Sequence, residues 1–135
     1  MRPSPRWQSG NHASNPGQPR QQQMPMPDAN TAKIAALNDR ARQRLDHCRW
    51  IITQGVLAYD PIIVAELLIA VEDFSNFSAH NDPYAEHDFG AIKLNGTTFF
   101  WKFDYYDLDL QMHSPDPSDP AVTARVLTVM LAEEY

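Results

Sequence analysis

An Asn-Gly pair near the middle of the chain separates two strand-like runs of alternating side chains. In the second run Phe99, Trp101, Phe103 and Tyr105 fall on one side, which is the period of a half-buried strand. Asn-Gly favours a type I′ hairpin turn, because both central residues of that turn need positive φ. A two-residue loop also fixes the register, which predicts that Ile92 lies opposite Phe99 and His87 opposite Asp104.

Helical spacing of apolar positions predicts three helices outside this hairpin. The first spans residues 31–47 with Asn30 as its N-cap, and its apolar stripe is Ile34, Leu37, Ala41 and Leu45. Two Asp-Pro pairs, Asp60-Pro61 and Asp119-Pro120, predict the starts of the second and third helices, since proline suits the first helical position. The second is apolar on nearly all sides, which predicts burial against the sheet. The arginines near the end of the first helix are predicted to form a solvated face: Arg40, Arg42, Arg44 and Arg49.

These elements predict an α+β fold. One further short strand is expected at residues 50–53, so the order is α-β-α-β-β-α. The economical architecture is a small antiparallel sheet, made of the Asn-Gly hairpin and that short strand, packed by three helices.

The first 28 residues differ in composition from the rest of the 135-residue chain. They hold six prolines and three consecutive glutamines, which predicts a disordered Pro/Gln-rich tail at 1–28 and one domain at 29–135. No run resembles a signal peptide or a membrane span, so a soluble, cytoplasmic protein is expected. Cys48 is the single cysteine. It follows His47, but adjacent helical residues point apart, which disfavours a catalytic pair.

The net charge of −6 is unevenly distributed. The tail is basic, whereas residues 29–135 carry eight basic and sixteen acidic residues, a net charge of −8. Such a domain repels phosphate backbones, which makes nucleic-acid binding an unexpected function. A protein with a basic surface is the partner this charge predicts.

Two groups of residues could support chemistry. Histidines and carboxylates of the loop before the hairpin are candidate metal ligands, if that loop brings them together: His80, Asp82, Glu86, His87 and Asp88. Alternatively, a cross-strand pair of His87 and Asp104 could serve as a general acid–base dyad. A polar surface loop and a structural ion pair are the simpler interpretations, and no cofactor is implied.

An acidic and aromatic run at residues 104–110 indicates either a docking surface or a strand end that leaves the sheet with solvated carboxylates. Tyrosines offer large contact area with a polar tip, and alternating carboxylates suit a basic partner. The candidate partner-binding residues are Asp104, Tyr105, Tyr106, Asp107 and Asp109.

Several motifs of residues 31–135 resemble the bacterial family named domain of unknown function 3768. They are Glu86-His-Asp-Phe-Gly90, Phe100-Trp-Lys-Phe-Asp-Tyr-Tyr-Asp107, Ser114-Pro-Asp-Pro117, Thr123-Ala-Arg-Val-Leu-Thr-Val-Met-Leu-Ala-Glu-Glu-Tyr135 and the opening Ile34-Ala-Ala-Leu-Asn-Asp39. The resemblance implies a small cytoplasmic protein of proteobacteria, often carried on plasmids and other mobile elements. It supplies no catalytic residues.

Together these patterns predict a non-enzymatic acidic interaction module, accessory to plasmid or mobile-element biology. Mimicry of nucleic acid is one version of that role. The alternative is a small metal-dependent or His/Asp acid–base hydrolase. Partner, substrate and oligomeric state stay open.

Overall fold

The computed structural model describes residues 28–135, and the predicted disordered tail lies outside these residues apart from Asp28. The elements, in chain order, are helix α1 (Ala29–Arg42), strand β1 (Arg49–Ile52), helix α2 (Gln54–Leu57), helix α3 (Pro61–Glu72), strands β2 (Phe89–Leu94), β3 (Thr97–Tyr106) and β4 (Ala124–Leu131), and a 3₁₀ turn (Ala132–Glu134). In this part of the chain no helix is long and apolar enough to cross a membrane.

The four strands form one mixed sheet in the order β1-β4-β3-β2. Strand β1 runs parallel to β4, and the other two pairings are antiparallel. The α+β class is therefore confirmed. The prediction of a purely antiparallel sheet built from three strands is wrong, because the fourth strand joins the hairpin to β1.

That fourth strand is the segment predicted as the third helix. Val126, Leu127, Val129 and Met130 are all buried in β4. A central strand with buried side chains on both of its faces shows a nearly continuous apolar run instead of alternation, so its spacing also fitted a helix. Asp119-Pro120 forms a turn, in which the Asp119 carboxylate accepts a hydrogen bond from Ala121 N at 2.9 Å.

The predicted hairpin turn is confirmed. Asn95 has φ 52° and Gly96 has φ 82°, as a type I′ turn requires. Ile92 pairs with Phe99 and Gly90 with Trp101, which is the predicted register. A β-carbon on Gly90 would lie 2.4 Å from Trp101 Nε1, so only glycine lets the indole lie across β2.

Helix α1 begins two residues earlier and ends five residues sooner than predicted. Its N-cap is Asp28 and not Asn30, and the Asp28 carboxylate accepts from Thr31 N at 2.7 Å. The helix ends at Arg42, which leaves Leu45 exposed. The predicted solvated arginine face is wrong for Arg42, which is only 1 % exposed.

Helix α3 begins at the predicted Asp60-Pro61 cap, and the Asp60 carboxylate accepts from Ile62 N at 2.8 Å. Leu67 and Val71 are buried against the sheet. The opposite side of the helix is open, with Ile62 at 69 % and Ile69 at 57 % exposure. The predicted burial therefore holds for only one side of this helix.

All three helices pack on the same face of the sheet. Their buried side chains join Phe99, Trp101 and Phe103 of β3 and Leu127 and Val129 of β4 in one core cluster. The other face carries the intervening side chains of the same strands, and we call it the open face. Lys102, Asp104 and Tyr106 of β3 lie on the open face.

Candidate functional site

A groove of about 820 Å³ runs along the open face. Its floor comes from Lys102, Asp104 and Tyr106, which are alternate residues of β3, and from Met130 of the neighbouring β4. Because alternate strand residues share a face, the single strand β3 supplies most of the floor. We call this surface the open-face groove.

Phe89 and Tyr135 line one end of the groove, and their rings pack with the ring of Phe100. The Phe89 ring centroid lies 4.9 Å from that of Phe100 and 5.7 Å from that of Tyr135. The C-terminal residue thus folds back over the sheet, because the 3₁₀ turn after β4 redirects the chain. The rings give this end an apolar wall.

The chain end is fixed by Glu134. Its carboxylate accepts from the Thr53 hydroxyl at 2.7 Å and from Leu131 N at 2.8 Å. The bond from Thr53 is the main reason that the pKa of Glu134 lies below its usual value. The ionised carboxylate therefore holds the last turn against the start of α2.

The floor of the groove holds an ion pair. Lys102 Nζ donates to the Asp104 carboxylate within the same strand, and both side chains are about one-third exposed. An exposed pair of this kind contributes little to stability, so a charged ligand can compete for either partner.

A turn after β3 closes the other end of the groove. Asp107 Oδ1 accepts from Gln111 N at 3.0 Å, and Asp107 N donates to the Met112 carbonyl at 2.8 Å. The chain then pairs His113 with Tyr106. Met112 and Asp109 are exposed on this turn. Asp107 therefore shapes the loop, in addition to any contact with a partner.

Tyr105 borders the groove, but it does not contribute to the groove floor. Its side chain lies on the helix face, where its hydroxyl accepts from Asn38 Nδ2 at 2.8 Å and donates to Glu86 Oε1 at 3.2 Å. Burial, reinforced by the nearby Asp88 and Glu86 carboxylates, raises the pKa of Tyr105. Of the predicted docking residues, Asp104 and Tyr106 line the groove, Asp107 and Asp109 lie on its turn, and Tyr105 is interior.

Asn38 joins this interior tyrosine to helix α1. Fully buried, it also accepts from Arg125 Nε at 2.8 Å and donates to the Glu86 carbonyl at 3.0 Å. Its amide is thereby satisfied by groups from three separate segments. This network fixes α1 across the sheet.

His87 lies on the helix side of the sheet and not opposite Asp104. Its Nδ1 is 2.9 Å from Asp39 Oδ1, and its ring stacks on Phe77 with centroids 3.9 Å apart. The prediction that His87 pairs with Asp104 is wrong, because β2 begins at Phe89 and His87 has φ 56°. Asp82 holds this local bend by accepting from His87 N at 3.1 Å.

Both ring nitrogens of His87 face carboxylates. Nε2 lies 3.7 Å from Asp82 Oδ2, on the side away from Asp39. Burial raises the pKa of Asp82 above its usual value. A catalytic histidine bonds one nitrogen to an orienting group and offers the other to substrate. Here the second nitrogen points at Asp82, an arrangement that favours a structural role.

Asp39 connects this histidine to Arg42. The buried guanidinium donates to Asp39 Oδ1 at 2.9 Å and to the carbonyls of Val71, Glu72 and Phe74 at 2.8–3.1 Å. It also lies 5.2 Å from the Trp101 ring centroid. Arg42 therefore caps the end of α3 from inside the core. Sequence reasoning missed Asn38, Asp39 and Arg42, although Asn38 and Arg42 share a helical stripe with Ile34 and Ala41.

The predicted metal ligands do not converge. Among residues 28–135, no three histidine, cysteine or carboxylate side chains lie close enough to hold a metal ion. His80 is exposed, whereas Asp82 and Asp88 are buried. At Cys48, burial raises the pKa of the thiol to about 11, which opposes the thiolate form that a nucleophile needs.

Comparison with known families gives one match. The family model described as protein of unknown function, DUF3768, matches residues 52–134. Neither the curated proteins nor the solved structures gave a significant match. The matched region contains α3, the loop that carries His87 and the open-face groove apart from Tyr135, but not α1.

Proposed function

The chain belongs to the DUF3768 family, and we propose that it is a non-enzymatic interaction module whose open-face groove binds a basic, extended segment of a protein partner. The observation that carries the proposal is the groove itself. It is large, open and acidic, and it lies on the sheet face that none of the described helices covers.

The shape of the groove suits an extended segment. From Lys102 to Tyr106 the strand rises about 13 Å at ~3.3 Å per residue, between the aromatic wall and the turn at Met112. A partner strand of about four to six residues matches that length. Aromatic and methionine side chains at both ends provide apolar contacts.

The charge of this region selects the partner. Residues 103–135 contain seven acidic residues and one basic residue, Arg125. The Arg125 guanidinium is committed to Asn38 and to the Pro117 carbonyl on the helix side. Apart from Lys102, which pairs with Asp104 on the groove floor, the charge around the groove is therefore negative, which speeds association with basic proteins and repels nucleic acid.

The cellular setting belongs to the proposal and comes from the family resemblance. A bacterial, cytoplasmic protein accessory to plasmid or mobile-element biology fits a small acidic module. Mimicry of nucleic acid on a basic partner is one form of that role. Of the features that such mimicry needs, the groove supports only one, a negatively charged surface.

A second candidate is the His/Asp acid–base hydrolase. The observation in its favour is the short contact between His87 and Asp39, with about 30 % of each side chain exposed. The position of Asp82 at the other ring nitrogen is the observation against it. The interaction module is therefore the better supported function.

The test is a titration of the full chain with synthetic peptides. The probe is a peptide of about nine residues that alternates Arg and Val, and the matched peptide has Glu in place of Arg. We expect the Arg peptide to bind and its affinity to fall as salt rises, because exposed charges are screened. The Glu peptide should not bind.

Two charge-matched variants locate the binding. The groove variant, Asp104→Asn with Asp109→Lys, should weaken the Arg peptide about tenfold at low salt. The control, Asp73→Asn with Glu66→Lys, makes the same charge change on α3 and should bind as the natural chain does. Equal binding by the groove variant would contradict the proposal. In a phenotypic assay, loss of function in His87→Ala but not in the groove variant would instead favour the enzyme.

A further inference from the structure

Helix α3 presents an apolar stripe to solvent on the side away from the sheet. Ile62 and Ile69 are 69 % and 57 % exposed, and Leu57 just before the helix is 58 % exposed. Ala65 and Glu66 are exposed between the two isoleucines. We call Ile62, Ala65, Glu66, Ile69 and Asp73 the outer stripe.

The composition of α3 is that of a helix covered on more than one side. Nine of its twelve residues are aliphatic, in the sequence PIIVAELLIAVE. A helix that is apolar all round is normally buried all round. Within residues 28–135, only the side with Leu67 and Val71 is buried. Contiguous exposed apolar surface of this kind marks an interaction site.

The spacing of the outer stripe is that of a helix-pairing seam. Ile62, Ala65 and Ile69 follow one another at intervals of three and four residues, as the a and d positions of a heptad do. Glu66 and Asp73 are each four residues beyond an isoleucine and flank the seam on one side. Those flanking positions set partner choice by charge.

The flanking charges disfavour a second copy of this chain as the occupant. In a two-fold pairing centred on the outer stripe, Glu66 would lie beside the same residue of the other copy. Like charges so placed are destabilising. Within the described residues, neither Glu66 nor Asp73 pairs with a basic side chain that could relieve this repulsion.

We propose that the outer stripe is a second docking surface, which binds an amphipathic helix of a protein partner with Lys or Arg beside its apolar seam. The isoleucines supply the apolar contact, and Glu66 and Asp73 supply the charge complement. From Ile62 to Asp73 the stripe extends about 16 Å, the length of roughly three helical turns. This surface is independent of the open-face groove.

A charge-swap titration of the full chain tests the proposal. The probe is a synthetic helix of about 14 residues with Leu along its seam and Lys beside it, and the matched probe has Glu in place of Lys. We expect the Lys helix to bind and to shift the NMR signals of the Ile62 and Ile69 methyl groups. The variant Asp73→Asn with Glu66→Lys should reverse the preference and bind the Glu helix more tightly.

Further variants keep the result interpretable. Ile62→Ser with Ile69→Ser changes only exposed side chains, so the fold should be retained while binding falls at least about tenfold. The groove variant should bind the Lys helix normally. An unchanged preference after the charge swap would overturn the proposal. So would a dimer of the natural chain that Ile69→Ser dissociates, because the occupant would then be a second copy.

Discussion

The buried Arg42 gives the sharpest stability prediction. Replacement by Met keeps a flexible side chain of similar length against Trp101 and removes the guanidinium. The Glu72 and Phe74 carbonyls then lose the donor that they have in the described structure, whereas the Val71 carbonyl keeps its bond from Phe74 N. The Asp39 carboxylate keeps its contact with His87 Nδ1 and remains partly exposed to solvent.

The expected cost follows from those losses. A partly buried carbonyl left without a donor costs about 1–3 kcal/mol, so two of them and the lost ion pair sum to at least about 3 kcal/mol. For a domain of this size that lowers the melting temperature by at least about 10 °C. Arg42→Lys should give an intermediate value, because an ammonium retains the charge but cannot reach several carbonyls in one plane.

The assay is chemical denaturation, and Arg40 provides the control. Arg40 bonds Asp46 at 2.8 Å, but both side chains are about half exposed. Arg40→Met should therefore change the unfolding free energy little. If Arg42→Met were no more destabilising than Arg40→Met, Arg42 would not be the internal cap of α3.

Three other predictions test the fold. Tyr105→Phe should cost about 1–2 kcal/mol, because Asn38 and Glu86 lose a buried partner, whereas Tyr106→Phe on the open face should change the unfolding free energy little. Gly96→Val should cost about 1–2 kcal/mol through the backbone alone, since a β-carbon there meets nothing within 4 Å, and Gly96→Asn should cost less. The lowered pKa of Glu134 means that its contribution to stability is present above the ordinary value of 4.5 and is lost as the pH falls through the folded value. The melting-temperature difference between the natural chain and Glu134→Gln should therefore shrink from pH 7 to pH 3.

Local signals predicted the parts of the fold that local chemistry determines. The type I′ turn depends on Asn95 and Gly96 alone, and the start of α3 depends on Asp60 and Pro61. Both could therefore be predicted from the sequence. Strand β4 could not be predicted in this way, because apolar side chains on both of its faces removed the alternation that identifies a strand. Its partner β1 is more than seventy residues away, and no local pattern encodes that pairing.

The burial of Arg42 could not be predicted from the sequence for a similar reason. Arginine is mostly exposed in proteins, so its position on the apolar stripe of α1 was the only sequence signal. The groups that stabilise it are carbonyls at the end of α3, about thirty residues later. The local sequence pattern around a buried arginine can be the same as that around a solvated one. Only the tertiary arrangement distinguishes the two.

The error at His87 changes how the two functional hypotheses can be separated. The register rule held for all six pairs of β2 and β3 and failed at His87, two residues before the strand, where the Asp82 carboxylate binds the backbone and imposes a bend. Such side chain–backbone bonds compete with the ladder of a sheet. His87 and Asp104 consequently lie on opposite faces, so a variant at either one leaves the other undisturbed. The candidate acid–base group and the candidate docking groove, which the sequence placed in one pair, are physically independent in the folded protein.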